Sequence, residues 1–172
     1  MMTNRNIFFI LLIFSAVLFQ CRQSGETGQA VMNIGVVVTD LNRSLDFYKN
    51  VLGMKEVGII NLDAELGKTS GLTGGLPAQV KVLKLEDSKF ATEWKLMTFD
   101  NVPQNAPQKH IQDGAGMRYV SISVQSVAPF LERLRKNNVP LLGQTPVELQ
   151  KGVYLILFQD PDGIFIELIG NE

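Results

Sequence analysis

The sequence has little of what several protein classes need. It contains one cysteine, Cys21, among 172 residues, so no disulfide framework can form within the chain. Its one histidine, His110, lies in a polar stretch where Asp113 is the one carboxylate, too few ligands for a metal site. The chain has 16 Lys and Arg residues and 17 Asp and Glu residues, which gives a formal net charge of −1. A surface so balanced offers no broad basic patch, which argues against nucleic acid as a partner.

What is present is typical of a globular domain. Hydrophobic residues make up 45% of the chain and charged residues 19%, which excludes wholesale disorder. The length suits one ordinary domain with a sizeable core and is short for two.

The first thirty residues differ from the rest. Residues 7–19 run without a charge, which is the length of a secretory signal's apolar segment and too short to span a bilayer comfortably. The segment ends in Leu18-Phe19-Gln20-Cys21, which resembles the lipobox of bacterial lipoproteins, although Gln20 replaces the usual small residue. We predict a lipoprotein signal peptide over residues 1–21, lipidation of Cys21, a flexible tether over residues 22–30 and an extracytoplasmic, lipid-anchored domain. An ordinary cleaved signal and a retained anchor are the alternatives.

Two similar runs of elements follow the tether. The first, residues 31–100, predicts a strand (31–39), a helix that Asp40 caps and Gly53 ends, and strands at 54–61, 80–85 and 94–99. The second, residues 117–172, predicts a strand (117–124), a helix capped by Ser126, and strands at 152–158 and 164–169 around the turn from Asp160 to Gly163. A glycine-rich loop (62–78) and a polar linker (101–116) carry no predicted element. Equivalent positions, such as Val38 and Val124, lie 86 residues apart, which predicts a duplicated unit.

Two motifs identify the family that this order resembles. Val38 to Leu41 leads into Ser44, Phe47-Tyr48 and Leu52-Gly53, and Phe158 to Gly163 leads into Ile166 to Leu168. Together they resemble the opening and closing signatures of the vicinal-oxygen-chelate superfamily of glyoxalases, bleomycin-resistance proteins and dioxygenases. The resemblance covers residues 31–169. It implies an α+β fold in which two βαβββ modules form one domain, with a curved mixed sheet around a cavity and the helices outside.

The resemblance also implies four metal-ligand positions, which fall here on Asn33, Lys95, Tyr119 and Glu167. Glu167 alone is of the usual ligand type. Lys95 is the decisive departure, because an ammonium group has no lone pair to give and repels a divalent cation. We therefore predict no bound metal and no cofactor.

Strand alternation assigns a polar set of side chains to the cavity. The predicted ligand-binding residues are Asn33, Lys95, Met97, Tyr119, Ser121, Ser123, Phe165 and Glu167. Lys95 and Glu167 could form an internal ion pair that only satisfies two buried charges. Alternatively, Lys95 binds an anionic or carbonyl oxygen of a ligand, or transfers protons with Tyr119 and Glu167 as further candidate catalytic residues. Met97 and Phe165 could equally fill the core, and Trp94 is expected in the core or at a dimer interface.

These readings lead to one function and two alternatives. We predict a membrane-tethered, glyoxalase/bleomycin-resistance-like domain that binds a small organic ligand, anionic or carbonyl-bearing, without a catalytic metal. The alternatives are a lyase or isomerase of the glyoxalase-like class that uses Lys95, Tyr119 and Glu167, and a structural lipoprotein without a ligand. The resemblance further implies a homodimer, and the membrane is a partner through Cys21.

Overall fold

The chain folds into two four-stranded sheets, described by a computed structural model over residues 31–172. The elements are β1 (Ile34–Val37), α1 (Leu41–Asn50), β2 (Lys55–Leu62), α2 (Ala64–Thr69), β3 (Ala78–Lys84), β4 (Trp94–Met97), β5 (Tyr119–Ser126), α3 (Ala128–Lys136), β6 (Val147–Gln150), β7 (Val153–Gln159) and β8 (Phe165–Asn171). Residues 31–172 form one compact unit with its own hydrophobic core. The predictions for residues 1–30, Cys21 included, lie outside the described residues. Within the described part, no helix is long and apolar enough to cross a membrane.

The two sheets repeat one topology. Sheet 1 has the order β1-β4-β3-β2 and sheet 2 the order β5-β8-β7-β6, and β1 and β5 each run parallel to their neighbour. Gly35 pairs with Lys95 in sheet 1, and Ser121, 86 residues after Gly35, pairs with Glu167 in sheet 2. The predicted α+β fold of two βαβββ modules is confirmed. Neither sheet closes into a barrel.

The start of α1 was predicted correctly. The Asp40 side chain accepts a hydrogen bond from the Arg43 backbone N–H at 3.0 Å, as a helix N-cap should. The predicted cap at Ser126 was wrong by one residue, because α3 is capped by the backbone of Val127 and begins with Pro129 in its first turn. Ser126 instead accepts from the backbone N–H of Ala128 at 3.2 Å.

One α-helix, one strand and a single 3-10 turn over Ile111–Asp113 in the linker were not predicted. α2 lies inside the glycine-rich loop, where Asp63 caps it by accepting from the backbone N–H of Leu66 at 2.8 Å. β6 completes the second module at the outer edge of sheet 2. β6 is only four residues long and all four are exposed, so its short apolar/polar alternation is too weak a signal to predict a strand.

The core forms where α1 contacts both sheets. The Tyr48 ring lies 5.3 Å from the Trp94 ring of sheet 1, and the Phe47 ring lies 6.2 Å from the Phe158 ring of sheet 2. Trp94 is 3% exposed, which confirms its expected place in the core. Since both sheets turn one side toward α1, their other sides point away from it. Burial follows this alternation: Val36 is buried, whereas Val37 is 49% exposed.

Candidate functional site: two open sheet faces

The predicted site residues lie on the two sheet sides that point away from α1. We call these the first face (Gly35, Val37, Val82, Lys95 and Met97 of sheet 1) and the second face (Tyr119, Ser121, Ser123, Phe165 and Glu167 of sheet 2). Residues paired on neighbouring strands project to the same side of a sheet. The structure therefore confirms the alternation that the sequence predicted, and divides the predicted site between two sheets.

The first face carries a cluster of three charged side chains. Lys95 Nζ lies 3.2 Å from Glu93 Oε2, and Lys84 Nζ lies 3.6 Å from Glu93 Oε1. All three side chains are partly buried, with exposures of 27% for Lys95, 29% for Glu93 and 15% for Lys84. Two ammonium groups share one carboxylate, so this cationic cluster carries one positive charge in excess.

The Asn33 side chain supports the cluster by binding the backbone of Glu93. Its side-chain oxygen accepts a hydrogen bond from the Glu93 backbone N–H at 3.0 Å. The contact fixes the residue that precedes β4 and leaves the Asn33 oxygen already engaged. Sequence reasoning missed Glu93 and Lys84. Glu93 could have been found, because it lies two positions before Lys95 and so on the same side of the strand.

The second face carries a hydrogen-bonded carboxylate. The Ser121 hydroxyl donates to Glu167 Oε1 at 2.6 Å, and Tyr119 beside them is 49% exposed. Ser123 is exposed on the same strand. Phe165 pairs with Tyr119 on the second face but is only 1% exposed, so this part of the face is covered and Phe165 does not line an accessible cavity.

The ion pair that Lys95 and Glu167 could form does not occur within the single chain. Lys95 pairs with Glu93, whereas Glu167 pairs with Ser121. The physical reason is that Lys95 and Glu167 belong to different sheets whose open faces both point away from α1. Each charged side chain is therefore paired within its own module. Met97 lies half-buried beside Lys95 on the first face.

The residues at the four projected ligand positions do not fit a divalent metal. A protonated Lys95 has no lone pair to give, and the Asn33 oxygen, a weak neutral ligand, already accepts a hydrogen bond from the Glu93 N–H. Within residues 31–172, no group of three His, Cys, Asp or Glu side chains could hold a metal ion. His110 is an exposed loop residue whose Nδ1 lies 4.0 Å from Asp113 Oδ1.

The residues of the two sequence motifs meet in the interior, where they hold α1 to the β7–β8 turn. Tyr48 donates its hydroxyl to Asp160 Oδ2 at 2.7 Å, and both side chains are buried. Asp160 Oδ1 also accepts from the backbone N–H groups of Asp162 and Ile164, at 3.0 and 2.8 Å. Desolvation by burial raises the pKa of Asp160, and burial followed by the nearby Asp160 charge raises the pKa of Tyr48.

Asp162 in the same turn also binds α1 and the residue before its N-cap. Its Oδ1 accepts from the Thr39 hydroxyl and from the Arg43 guanidinium, the latter at 3.2 Å, and its Oδ2 accepts from the Ser44 hydroxyl at 3.3 Å. Ser44 and Tyr48 lie four residues apart and so on one side of α1. The motif residues thus join the first module to the second through buried and partly buried hydrogen bonds.

The two sheets of repeated topology place the chain among the α+β domains that are built from paired βαβββ modules. The family model for the Glyoxalase/Bleomycin resistance protein/Dioxygenase superfamily matches residues 30–168. The chain belongs to this superfamily.

Solved structures agree with the fold. A glyoxalase family protein from Bacillus cereus is 21% identical, with a TM-score of 0.65 over 82% of this chain and 93% of that one. The trypanothione-dependent glyoxalase I of Leishmania major is 25% identical, with a TM-score of 0.56 over 82% of this chain and 86% of its own. The fosfomycin resistance protein FosX of Listeria monocytogenes, solved with Mn(II) and sulfate, is 19% identical, with a TM-score of 0.52 over 83% of this chain and 93% of its own. No curated protein matches the sequence.

Proposed function

We propose that this chain is an exported, membrane-tethered member of the superfamily that binds a small organic anion on the first face without a catalytic metal. The observation that carries the proposal is the cationic cluster of Lys84, Glu93 and Lys95, which occupies the region of the projected second metal position. A metal ligand is replaced there by an ammonium group, and an ammonium group attracts carboxylate and carbonyl oxygens.

The surroundings of the cluster suit an anion with an apolar body. Val82 pairs with Lys95 across the strands and is buried, and Val37 and Met97, which pair with each other two residues further along β1 and β4, extend the apolar surface beyond Gly35. Partial burial strengthens the attraction between Lys95 and an anion relative to bulk water, because the local dielectric constant is lower. Glu93 neutralises only one of the two lysines.

A second copy of the chain completes the binding cavity in this proposal. Each face is partly open in the single chain: Val37 and Tyr119 are both 49% exposed, whereas Val82 and Phe165 are 5% and 1% exposed. The first face carries an excess positive charge, and the second face carries the Glu167 carboxylate. Docking the first face of one chain against the second face of another would therefore bring opposite charges together.

The proposed location rests on the N-terminal sequence. The uncharged segment over residues 7–19 and the lipobox-like sequence that ends in Cys21 support export and lipid anchoring.

The alternative function as a lyase or isomerase needs Lys95, Tyr119 and Glu167 in one site. In a single chain these residues lie on two sheets, so that alternative depends on the same second copy.

The test is ligand titration of a chain from Gly28 to Glu172, which retains the whole compact unit. The probes are benzoate, which joins a carboxylate to an apolar ring, and benzyl alcohol, its neutral counterpart. The variant is Lys95→Met, and the matched control is Lys81→Met, since Lys81 pairs with Glu56 at 3.2 Å away from the first face. We expect calorimetric titration to show benzoate affinity reduced about 10- to 100-fold in Lys95→Met, as for loss of a charge-assisted hydrogen bond.

Any of three results would contradict the proposal. One is equal benzoate affinity in Lys95→Met, Lys81→Met and the unmodified protein, which would place any binding away from the cationic cluster. Another is the absence of saturable binding of benzoate, acetate and phosphate by the unmodified protein. Tighter binding of benzyl alcohol than of benzoate would also refute the role given to charge.

A further inference from the structure

A groove lies on the opposite side of β5 from the second face. It has a volume of about 670 Å³ and is open to solvent along one side. Its apolar walls come from the start of β1, the end of β3 and the start of β4 in the first module, and from β5 and α3 in the second. The side chains that define this junction groove are Ile34, Leu85, Trp94, Ile122, Val124 and Phe130.

Comparison of the duplicated strands shows that the apolar side of β5, unlike that of β1, is left open. Val36 of β1 and Val38, the residue that follows β1, are 6% and 0% exposed. Their equivalents 86 residues later, Ile122 and Val124 of β5, are only partly buried. One strand of the duplicated pair is thus fully covered, whereas the other leaves apolar side chains lining an open groove. Partly exposed apolar walls of this kind are typical of ligand pockets.

The groove also offers hydrogen-bonding groups. β5 is the outer strand of sheet 2, so alternate backbone N–H and C=O groups have no partner strand on that side. The carbonyl of Arg118 accepts from the Phe165 N–H in β8. By alternation, the backbone groups of Ser121 and Ser123 point outward, and both residues line the groove.

The charge of the lining restricts the ligand. Of the described residues that line the groove, Glu86 alone carries a formal charge. A carboxylate in the wall disfavours an anion, in contrast to the cationic cluster on the first face. A neutral molecule whose apolar body fits the walls and whose polar group meets the β5 edge satisfies all of these features.

We infer that the junction groove is a second binding site, which takes a neutral, mostly apolar organic molecule bearing one hydrogen-bonding group. The volume lies within the range of about 300 to 1,000 Å³ that is usual for small-molecule pockets. The site is separate from the first face, so it does not depend on the proposed anion binding and can be tested without it.

The test uses N-phenyl-1-naphthylamine, a neutral amine with an apolar aromatic body whose fluorescence rises when it leaves water. The chain from Gly28 to Glu172 is titrated with this probe. The variant is the double substitution Ile122→Phe and Val124→Phe, which fills the groove from its β5 wall. The matched control is Ile59→Phe, which makes the same change at a 50% exposed strand residue outside the groove.

We expect saturable binding of one probe per chain. The double variant should weaken this binding about tenfold or more, because the added rings take the space of the probe's apolar body. Ile59→Phe should leave it unchanged, and so should Lys95→Met, which keeps this result distinct from the test of the first face. A thermal melt of each variant checks that it has folded, and a double variant that has unfolded is replaced by Val124→Phe alone.

Three outcomes would overturn the inference. The first is the absence of saturable binding. The second is equal affinity in the filled variant and the unmodified protein, which would assign the probe to another apolar surface. The third is probe binding that competes with self-association, detected as a fall in molar mass on addition of the probe. That result would show that a second copy of the chain covers the groove.

Discussion

Replacing Tyr48 with phenylalanine removes one hydroxyl group from the interior and leaves the ring packing in place. The hydroxyl donates to Asp160 at 2.7 Å across the contact between the two modules. Without it, Asp160 stays buried, at 5% exposure, and keeps only the two backbone donors of the turn. The variant therefore tests whether the two sequence motifs stabilise the fold through this contact.

The expected loss follows from the burial of both partners. A buried hydrogen bond to a charged group contributes about 1.5 to 3 kcal/mol to the free energy of unfolding. Tyr48 is 0% exposed, so water cannot replace the lost donor without opening the core. For a domain of about 140 residues, a loss of this size lowers Tm by about 5 to 10 °C.

The assay is thermal and urea unfolding of the chain from Gly28 to Glu172, with Tyr154→Phe as the matched control. Tyr154 is only half-buried and makes no side-chain hydrogen bond within residues 31–172. Loss of its hydroxyl should therefore change the free energy of unfolding by less than about 0.5 kcal/mol. A Tyr48→Phe variant as stable as Tyr154→Phe would refute the assigned role of the Tyr48 hydroxyl.

Two further predictions concern the same region. Because burial raises the pKa of Asp160, its contribution to stability is complete below the ordinary aspartate pKa of about 3.9 and is lost as the pH rises through the higher folded value. The stability of the unmodified protein relative to Asp160→Asn should therefore increase from pH 7 down to about pH 4, and chemical unfolding that shows a constant or falling difference would contradict this. Gly170→Ala should cost about 1 to 3 kcal/mol, because its Cβ would lie 2.5 Å from the Val124 carbonyl oxygen. Gly58→Ala, with nothing within 4 Å of its Cβ, is the control, and equal Tm values for the two variants would exclude the clash.

The fold could be predicted from the sequence because its signals are local and occur twice. Asp40 caps α1, and the turn from Asp160 to Gly163 joins β7 to β8, as their residue types predict. The 86-residue offset places Gly35 and Ser121 on equivalent rungs of the two sheets. Such features depend on the chemistry of neighbouring residues, which a sequence displays directly.

The site could be predicted only in part, because it depends on how the modules pack. Alternation correctly placed Lys95 and Tyr119 on open faces, but nothing in the sequence states that α1 contacts both sheets. The partner of Lys95 was therefore assigned across the modules to Glu167 rather than to the nearby Glu93. α2 was missed because Gly67 lies inside its six residues and Gly71, Gly74 and Gly75 follow it closely.

The central claim is that ligand binding in this chain does not depend on a metal. Its most direct test is the metal content of the chain from Gly28 to Glu172, measured by elemental analysis and followed by thermal melts with chelator, nickel, zinc and iron. We expect no stoichiometric metal and no change in Tm with chelator or with any of the three ions. Benzoate should still bind when the chelator is present. A near-equimolar metal together with a melt that the chelator lowers would contradict it.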